Sequence, residues 1–230
     1  MINDRAVAFW FRAIGVVAIT AGLVSHLGIL RGEFEAGAFM YYTILSNALA
    51  LVLFALLAVR TWRSWRTDGR AGSCSFLPRF EMVCAVDLML TLIVYWVLLA
   101  PGAFSMDGSY HPWSPENLAL HLITPALPLV DYLLFAHSGE LRPRDAFLVL
   151  AFPLAYLIFS SAAGMAGYEY RLTEDGQAES FPYFFMDWGS LGWGVLAYVA
   201  VIAAFLLALA GSLIALDRLW KRPRRAVAGL

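Results

Sequence analysis

Phe39-Met40-Tyr41-Tyr42-Thr43-Ile44-Leu45-Ser46-Asn47-Ala48-Leu49-Ala50-Leu51-Val52-Leu53-Phe54-Ala55-Leu56-Leu57-Ala58-Val59 carries no charged side chain. A hydrocarbon core about 30 Å thick needs roughly 20 apolar residues of helix to cross it. The stretch lacks the every-second-residue alternation of a barrel strand, so it reads as a membrane-spanning helix. Its small polar groups, Thr43, Ser46 and Asn47, gather near one end, and everything beyond them is apolar.

Five further stretches of this kind follow outward from it, at about 7–30, 80–100, 118–136, 146–166 and 190–216. Of the 230 residues, 61% are hydrophobic and 14% are charged, whereas a soluble domain carries roughly 25% charge. Water is therefore a poor solvent for most of the chain. With backbone polar groups needing internal partners in lipid, helices are the spanning solution. The expected fold is all-α: a polytopic membrane protein of six transmembrane helices in one domain, residues 1–230.

Positive charge sets the expected orientation. With the N-terminus in the cytoplasm, fourteen of the 16 Lys and Arg residues fall on the inner side, leaving Arg31 and Arg171 outside. The positive-inside rule then places both termini in the cytoplasm, most simply of a bacterial inner membrane. The first span is too long for a secretory signal core and is interrupted by Arg12, so it reads as a retained helix. Trp62, Arg63, Trp65 and Arg66, in a loop expected at 61–79, have the composition of a segment lying on an anionic leaflet. The basic tail at 218–225 reads alike. Cys74 and Cys84 offer neither a disulfide framework nor zinc spacing. No metal, cofactor or nucleic acid is expected.

The outer loops differ. Residues 101–116 are rich in Gly, Pro and Asp, as turns require. Residues 167–188 end in an aromatic run, Phe181 to Trp188, suited to an interface or a cavity mouth. At about 1.5 Å per residue, His26, Thr43, Ser46, Asn47, His121 and Asp187 all fall in one outer layer. Asp131, ten residues past His121, lies roughly 15 Å deeper and is expected to partner an inner-side arginine or a neighbouring helix. Polar and ionisable groups in spans are costly and often functional, but small ones also serve as interhelical hydrogen bonds. Spacing alone leaves both readings open. Asp187 reads either as an N-cap for the sixth helix or as the group that orients His121. Gly28 and Gly32 form a weak helix-contact signal.

Three ordered motifs bear on the choice: Tyr42-Thr43-Ile44-Leu45-Ser46-Asn47, then His121-x-x-x-Pro125 with Asp131-Tyr132-Leu133-Leu134-Phe135, then Phe181-Pro182-Tyr183-Phe184-Phe185-Met186-Asp187 followed by Gly192-Trp193. Over about 39–193 the chain resembles the androgen-induced and androgen-dependent membrane hydrolases and their bacterial relatives. Tyr132 departs from a usual tryptophan, and Phe184 from a second proline. The resemblance implies a six-helix protein that hydrolyses fatty-acid esters of hydroxy fatty acids or similar lipids, with an intramembrane threonine and histidine at Thr43 and His121. Asn47, Ser46, Asp187 and His26 are then expected to support the pair as oxyanion donors or orienting groups. Tyr42, Thr124, Tyr183 and Trp193, in or beside the motifs, are expected to meet the substrate.

The expected chemistry is threonine hydrolysis, since a threonine needs an adjacent base to act as a nucleophile. The alternative is a lipid or solute binder or transporter using the same polar layer, although no internal repeat of the transporter kind is visible. A haem carrier would rest on His26 and His121 as its sole candidate ligand pair. The soluble hydrolase, zinc-protease and nucleotide-binding motifs are missing.

Overall fold

The computed structural model describes residues 2–103, 111–136, 139–172 and 178–219. Within them are six helices long and apolar enough to cross a membrane: α1 (Arg5–His26), α2 (Tyr42–Asp68), α3 (Pro78–Leu99), α4 (Pro115–Phe135), α5 (Pro143–Met165) and α6 (Trp188–Leu219). All six fall where the hydropathy pattern puts them. Glu174, Asp175 and residues 104–110 of the loops expected to be outer, and the tail from Trp220, lie outside the described residues.

Local chemistry sets the helix ends. Asp4 starts α1, its carboxylate accepting the Ala6 and Val7 N–H groups. Glu81 does the same for α3, accepting from Phe76 N, Leu77 N and the Ser75 hydroxyl. Proline stands at the first position of α3, α4 and α5, where its missing N–H costs nothing. Two ends differ from the sequence reading. Gly28 and Gly32 both take positive φ, 69° and 73°, so they form the turn that stops α1 at His26 and not a helix contact. The helix α2 runs on to Asp68, which carries Trp62 to Arg66 on helix and leaves a shorter loop.

The helix α1 packs along α2, where the absence of a side chain at Gly15 lets the Phe54 ring lie against the α1 backbone. The helix α4 packs on α3 and touches α1 and α2, and α6 packs on α3. The first turns of α5, residues 143–150, hold α6. Beyond them α5 reaches α2 through the Phe152 and Tyr156 rings against Tyr42, and α5 and α6 are the least buried of the six. A cavity forms between these two helices and α3.

Arg12 is a correction to the charge count. It is no surface charge but is fully buried, with Nε and Nη2 donating to both Asp131 oxygens at 2.8 and 2.9 Å. Its Nη1 donates to Thr61 Oγ1 at 2.6 Å and to the Cys74 carbonyl at 2.8 Å. Asp131 thus has the structural arginine partner expected of it. Asp87 on α3 is equally buried, yet neither carboxyl oxygen has a partner among the described residues.

Candidate active site

Two segments of π-helix build the site. In α4, residues Ala119–Ile123 widen to the i→i−5 pattern, with Thr124 N donating to the Ala119 carbonyl. The next residue, Pro125, has no N–H. The carbonyls of Leu120 and His121 therefore lose their helical donors, and side chains replace them. Asn47 Nδ2 reaches the Leu120 carbonyl at 3.1 Å, and Trp96 Nε1 reaches that of His121 at 3.1 Å. In α3, Val94–Leu99 does likewise: Ala100 N donates to the Tyr95 carbonyl, immediately before Pro101. A π-turn rotates the side chains it carries, and such turns recur at functional sites. These two bring Tyr95 and His121 into a face-to-face stack, with ring centroids 3.7 Å apart and planes within 16°.

The His121 ring is held at both nitrogens. Nδ1 lies 3.2 Å from the Asn117 carbonyl, one helical turn back. A carbonyl only accepts, so Nδ1 carries the hydrogen and Nε2 presents its lone pair. Nε2 faces Thr43 Oγ1 at 3.4 Å. Thr43 stands in the first turn of α2, where no side chain caps the helix. The imidazole lone pair and the hydroxyl thus face one another at the long end of hydrogen-bond range.

Thr43 forms part of the wall of a cavity of about 790 Å³, measured with its open side. Tyr42, Thr91, Tyr95, Tyr156 and Tyr183 surround the threonine end. The rest is aliphatic, from Leu90, Val94 and Leu99 on α3, Leu150, Leu154 and Leu157 on α5, and Val199, Ile202 and Leu206 on α6. His121 does not line the cavity and stands behind Thr43. The cavity's largely aliphatic walls suit a hydrocarbon chain.

The remaining expected site residues divide clearly. Ser46 Oγ donates to the Thr43 carbonyl at 3.1 Å and shares a hydrogen with Thr91 Oγ1 at 2.9 Å. Asn47 Nδ2 spends its two hydrogens on the Thr43 and Leu120 carbonyls, so it braces the pair and offers no free donor. Tyr42 and Tyr183 line the cavity, as expected of substrate contacts, whereas Thr124 is buried outside it. Trp193 is 81% exposed and stands edge-on to Trp188.

His26 is half-buried at the end of α1 and away from the cavity wall. Asp187 is the N-cap of its two possible roles: Oδ1 accepts from Gly189 N and Ser190 N, and Oδ2 from the Ser190 hydroxyl. These bonds hold its carboxyl below the usual carboxylate range, the Ser190 hydroxyl contributing most. The orienting place beside His121 belongs to Asn117.

Sequence reasoning missed Tyr95, Trp96, Asn117 and Tyr156. Pro101 and Pro125 were the signal for the first two, because each marks the end of a π-turn. Tyr156 donates to the Met40 carbonyl at 3.0 Å and lies edge-on to Tyr42. No family model, curated protein or solved structure matches the chain.

Proposed function

We propose that this chain is an integral-membrane ester hydrolase in which Thr43 is the nucleophile and His121 the general base, acting on lipid esters such as fatty-acid esters of hydroxy fatty acids. One observation carries the reading: the Asn117 carbonyl fixes the hydrogen of His121 on Nδ1, which leaves the Nε2 lone pair facing Thr43 Oγ1 at 3.4 Å on the wall of an apolar cavity. An unliganded contact of this length shortens when substrate presses the hydroxyl toward its base.

The steps follow from that geometry. As Thr43 Oγ1 bonds to the ester carbonyl carbon, its proton passes to His121 Nε2, and the carbonyl π pair moves onto oxygen. The Tyr95 ring, stacked on the imidazole, presents a π face to the imidazolium that forms, an attractive arrangement. Collapse of the tetrahedral adduct expels the alcohol, which takes the proton from Nε2. Water then gives a proton to His121 Nε2 as its oxygen attacks the acyl carbon, and collapse of this second adduct breaks the bond to Thr43 Oγ1, which takes the proton back from Nε2 as the carboxylic acid leaves. Positioned base catalysis of this kind contributes about 10²–10⁴-fold.

Access from the side suits this arrangement: the cavity is bounded by α5 and α6, the least buried of the six helices, and an acyl chain entering between them would not leave the bilayer. We place both termini in the cytoplasm of a bacterial inner membrane, on the strength of the basic residues at 60–79, 142–144 and 218–225. Purified protein in nanodiscs, given ester substrates of graded chain length, should release acid. A fluorophosphonate should modify Thr43 and no other residue, as read by peptide mass spectrometry. Full activity in Thr43→Ala or His121→Ala would overturn the proposal.

A further inference from the structure

An acyl chain held at Thr43 can run end-on into the cavity or leave sideways between α5 and α6, and the packing of the helices favours the first. The first turns of α5, residues 143–150, pack on both α3 and α6. Leu90, Leu150 and Leu206, one from each of these helices, line the cavity beside that junction. Going further from Thr43, the chain next presents Val86 on α3, Val149 on α5 and Ala210 on α6. All three are fully buried in one apolar cluster, and none of them lies on the cavity wall. The leucines therefore form a floor.

Helix geometry gives the depth of that floor below the nucleophile. Thr43 Oγ1 faces His121, whose ring stacks on Tyr95, and Tyr95 is five residues from Leu90 along α3. On α5, Tyr156 lies edge-on to Tyr42 and donates to the Met40 carbonyl, which sets it level with the start of α2. It is six residues from Leu150. At about 1.5 Å per residue, both paths measure about 8–9 Å. With C–C bonds of about 1.5 Å, an extended chain advances about 1.3 Å per carbon, so about six or seven carbons fit beyond the reacting carbonyl.

We propose that Leu90, Leu150 and Leu206 set the acyl-chain length of the substrate and select medium-chain esters of about octanoyl size; this rests on the hydrolase reading above. Selection works by fit, since a chain that leaves lipid for an apolar chamber gains no hydrophobic free energy. A chain shorter than the chamber leaves a void, and the lining loses dispersion contacts. A longer one displaces packed side chains, an overfilling that costs about tenfold or more in rate.

The test measures kcat/KM for one alcohol esterified with straight-chain acids from acetyl to palmitoyl, using wild type and floor variants in nanodiscs of one composition. Every variant meets the same bilayer, so their ratios are free of substrate partitioning. Wild type should peak near octanoyl and fall by about tenfold or more at myristoyl. Leu150→Phe should move the peak to shorter acids and Leu150→Ala to longer ones; Leu90→Phe replaces the first if it fails to fold. A readout without turnover uses Thr43→Ala and an octanoyl ester with a diazirine on its terminal carbon. It should crosslink to Leu90, Leu150 or Leu206, as read by peptide mass spectrometry.

Crosslinks at Ile158 or Val201, which are exposed on α5 and α6, overturn the floor, as does a peak that the variants leave in place. If Thr43→Ala is inactive in the same assay, the hydrolase reading survives that result. Wild type and Thr43→Ala equal on every ester overturns both.

Discussion

The helix α4 carries two polar layers, at His121 and at Asp131, about 15 Å apart along its axis, and they differ in what they have left to offer. At Asp131, Arg12 uses four hydrogen bonds of 2.6–2.9 Å to saturate a carboxylate, a threonine and a carbonyl. Side chains close it on every side, and nothing remains for a ligand. At His121 the groups are neutral in their resting tautomer, the central contact is a long 3.4 Å, and one wall is a cavity. The same helix therefore holds a closed charged lock and an open uncharged pair. On the proposed reading, hydrogen-bond saturation, and not depth along α4, is what distinguishes the structural layer from the reacting one.

Removing the reacting groups gives the largest contrast. Thr43→Ala and His121→Ala should each lower kcat/KM by at least about 10³-fold, roughly 4 kcal/mol of transition-state stabilisation. The two losses should not add in the double variant, because the residues act as a unit. The unfolding midpoint should hardly move. A collapse of stability in Thr43→Ala would erase the distinction between the layers.

The reverse pattern is expected at the lock. Arg12→Ala or Asp131→Ala leaves one buried charge without its partner and should cost about 3–5 kcal/mol of stability, read by denaturant titration in micelles. Arg12→Met with Asp131→Leu removes both charges and should recover most of it. Any protein that remains folded should hydrolyse ester at near wild-type kcat.

Hydropathy made the lock half legible and the site less so. The six candidate spans follow from long, mostly apolar runs, since lipid leaves the backbone no other way to pair its polar groups. Asp131 was readable as a paired carboxylate because an isolated one is too costly. Arg12 was hidden, because a count of positive charge cannot tell a flanking arginine from one folded inward. The stack of Tyr95 on His121 depends on two π-turns, and periodicity assumes α geometry throughout. Asp187 misleads in a different way: an acid next to an aromatic motif looks like a third catalytic member, whereas its local N–H partners are the stronger attraction.

That acid gives a smaller effect with a clear sign. Asp187→Ala removes an N-cap and should cost about 1 kcal/mol, while kcat stays within about threefold because Asn117 orients His121. The carboxyl titrates lower in the folded protein than in the unfolded chain. Its contribution is thus present at neutral pH and disappears as pH falls through the folded value, below the ordinary aspartate pKa of about 3.9. An unfolding profile of wild type against Asp187→Ala should converge in that acid window. A kcat loss near that of His121→Ala would restore Asp187 to the site as the group that orients His121.

The smallest effect belongs to Asp87, which lies in neither layer. Both of its oxygens are buried without partners among the described residues, so its side chain has no bond for a substitution to break. Asp87→Asn keeps the shape and should shift stability by less than about 1 kcal/mol, whereas Asp131→Asn, which disrupts a bidentate pair, should cost several times that. The nearest side-chain link, Tyr42 Oη to the Asp87 backbone carbonyl at 3.5 Å, survives the change, so Tyr42 keeps its place on the cavity wall. Measured together, the two Asn variants isolate partner saturation from burial, because both carboxyls are equally enclosed. Equal costs would mean that burial alone governs these carboxylates, and the contrast drawn along α4 would fail at its physical root.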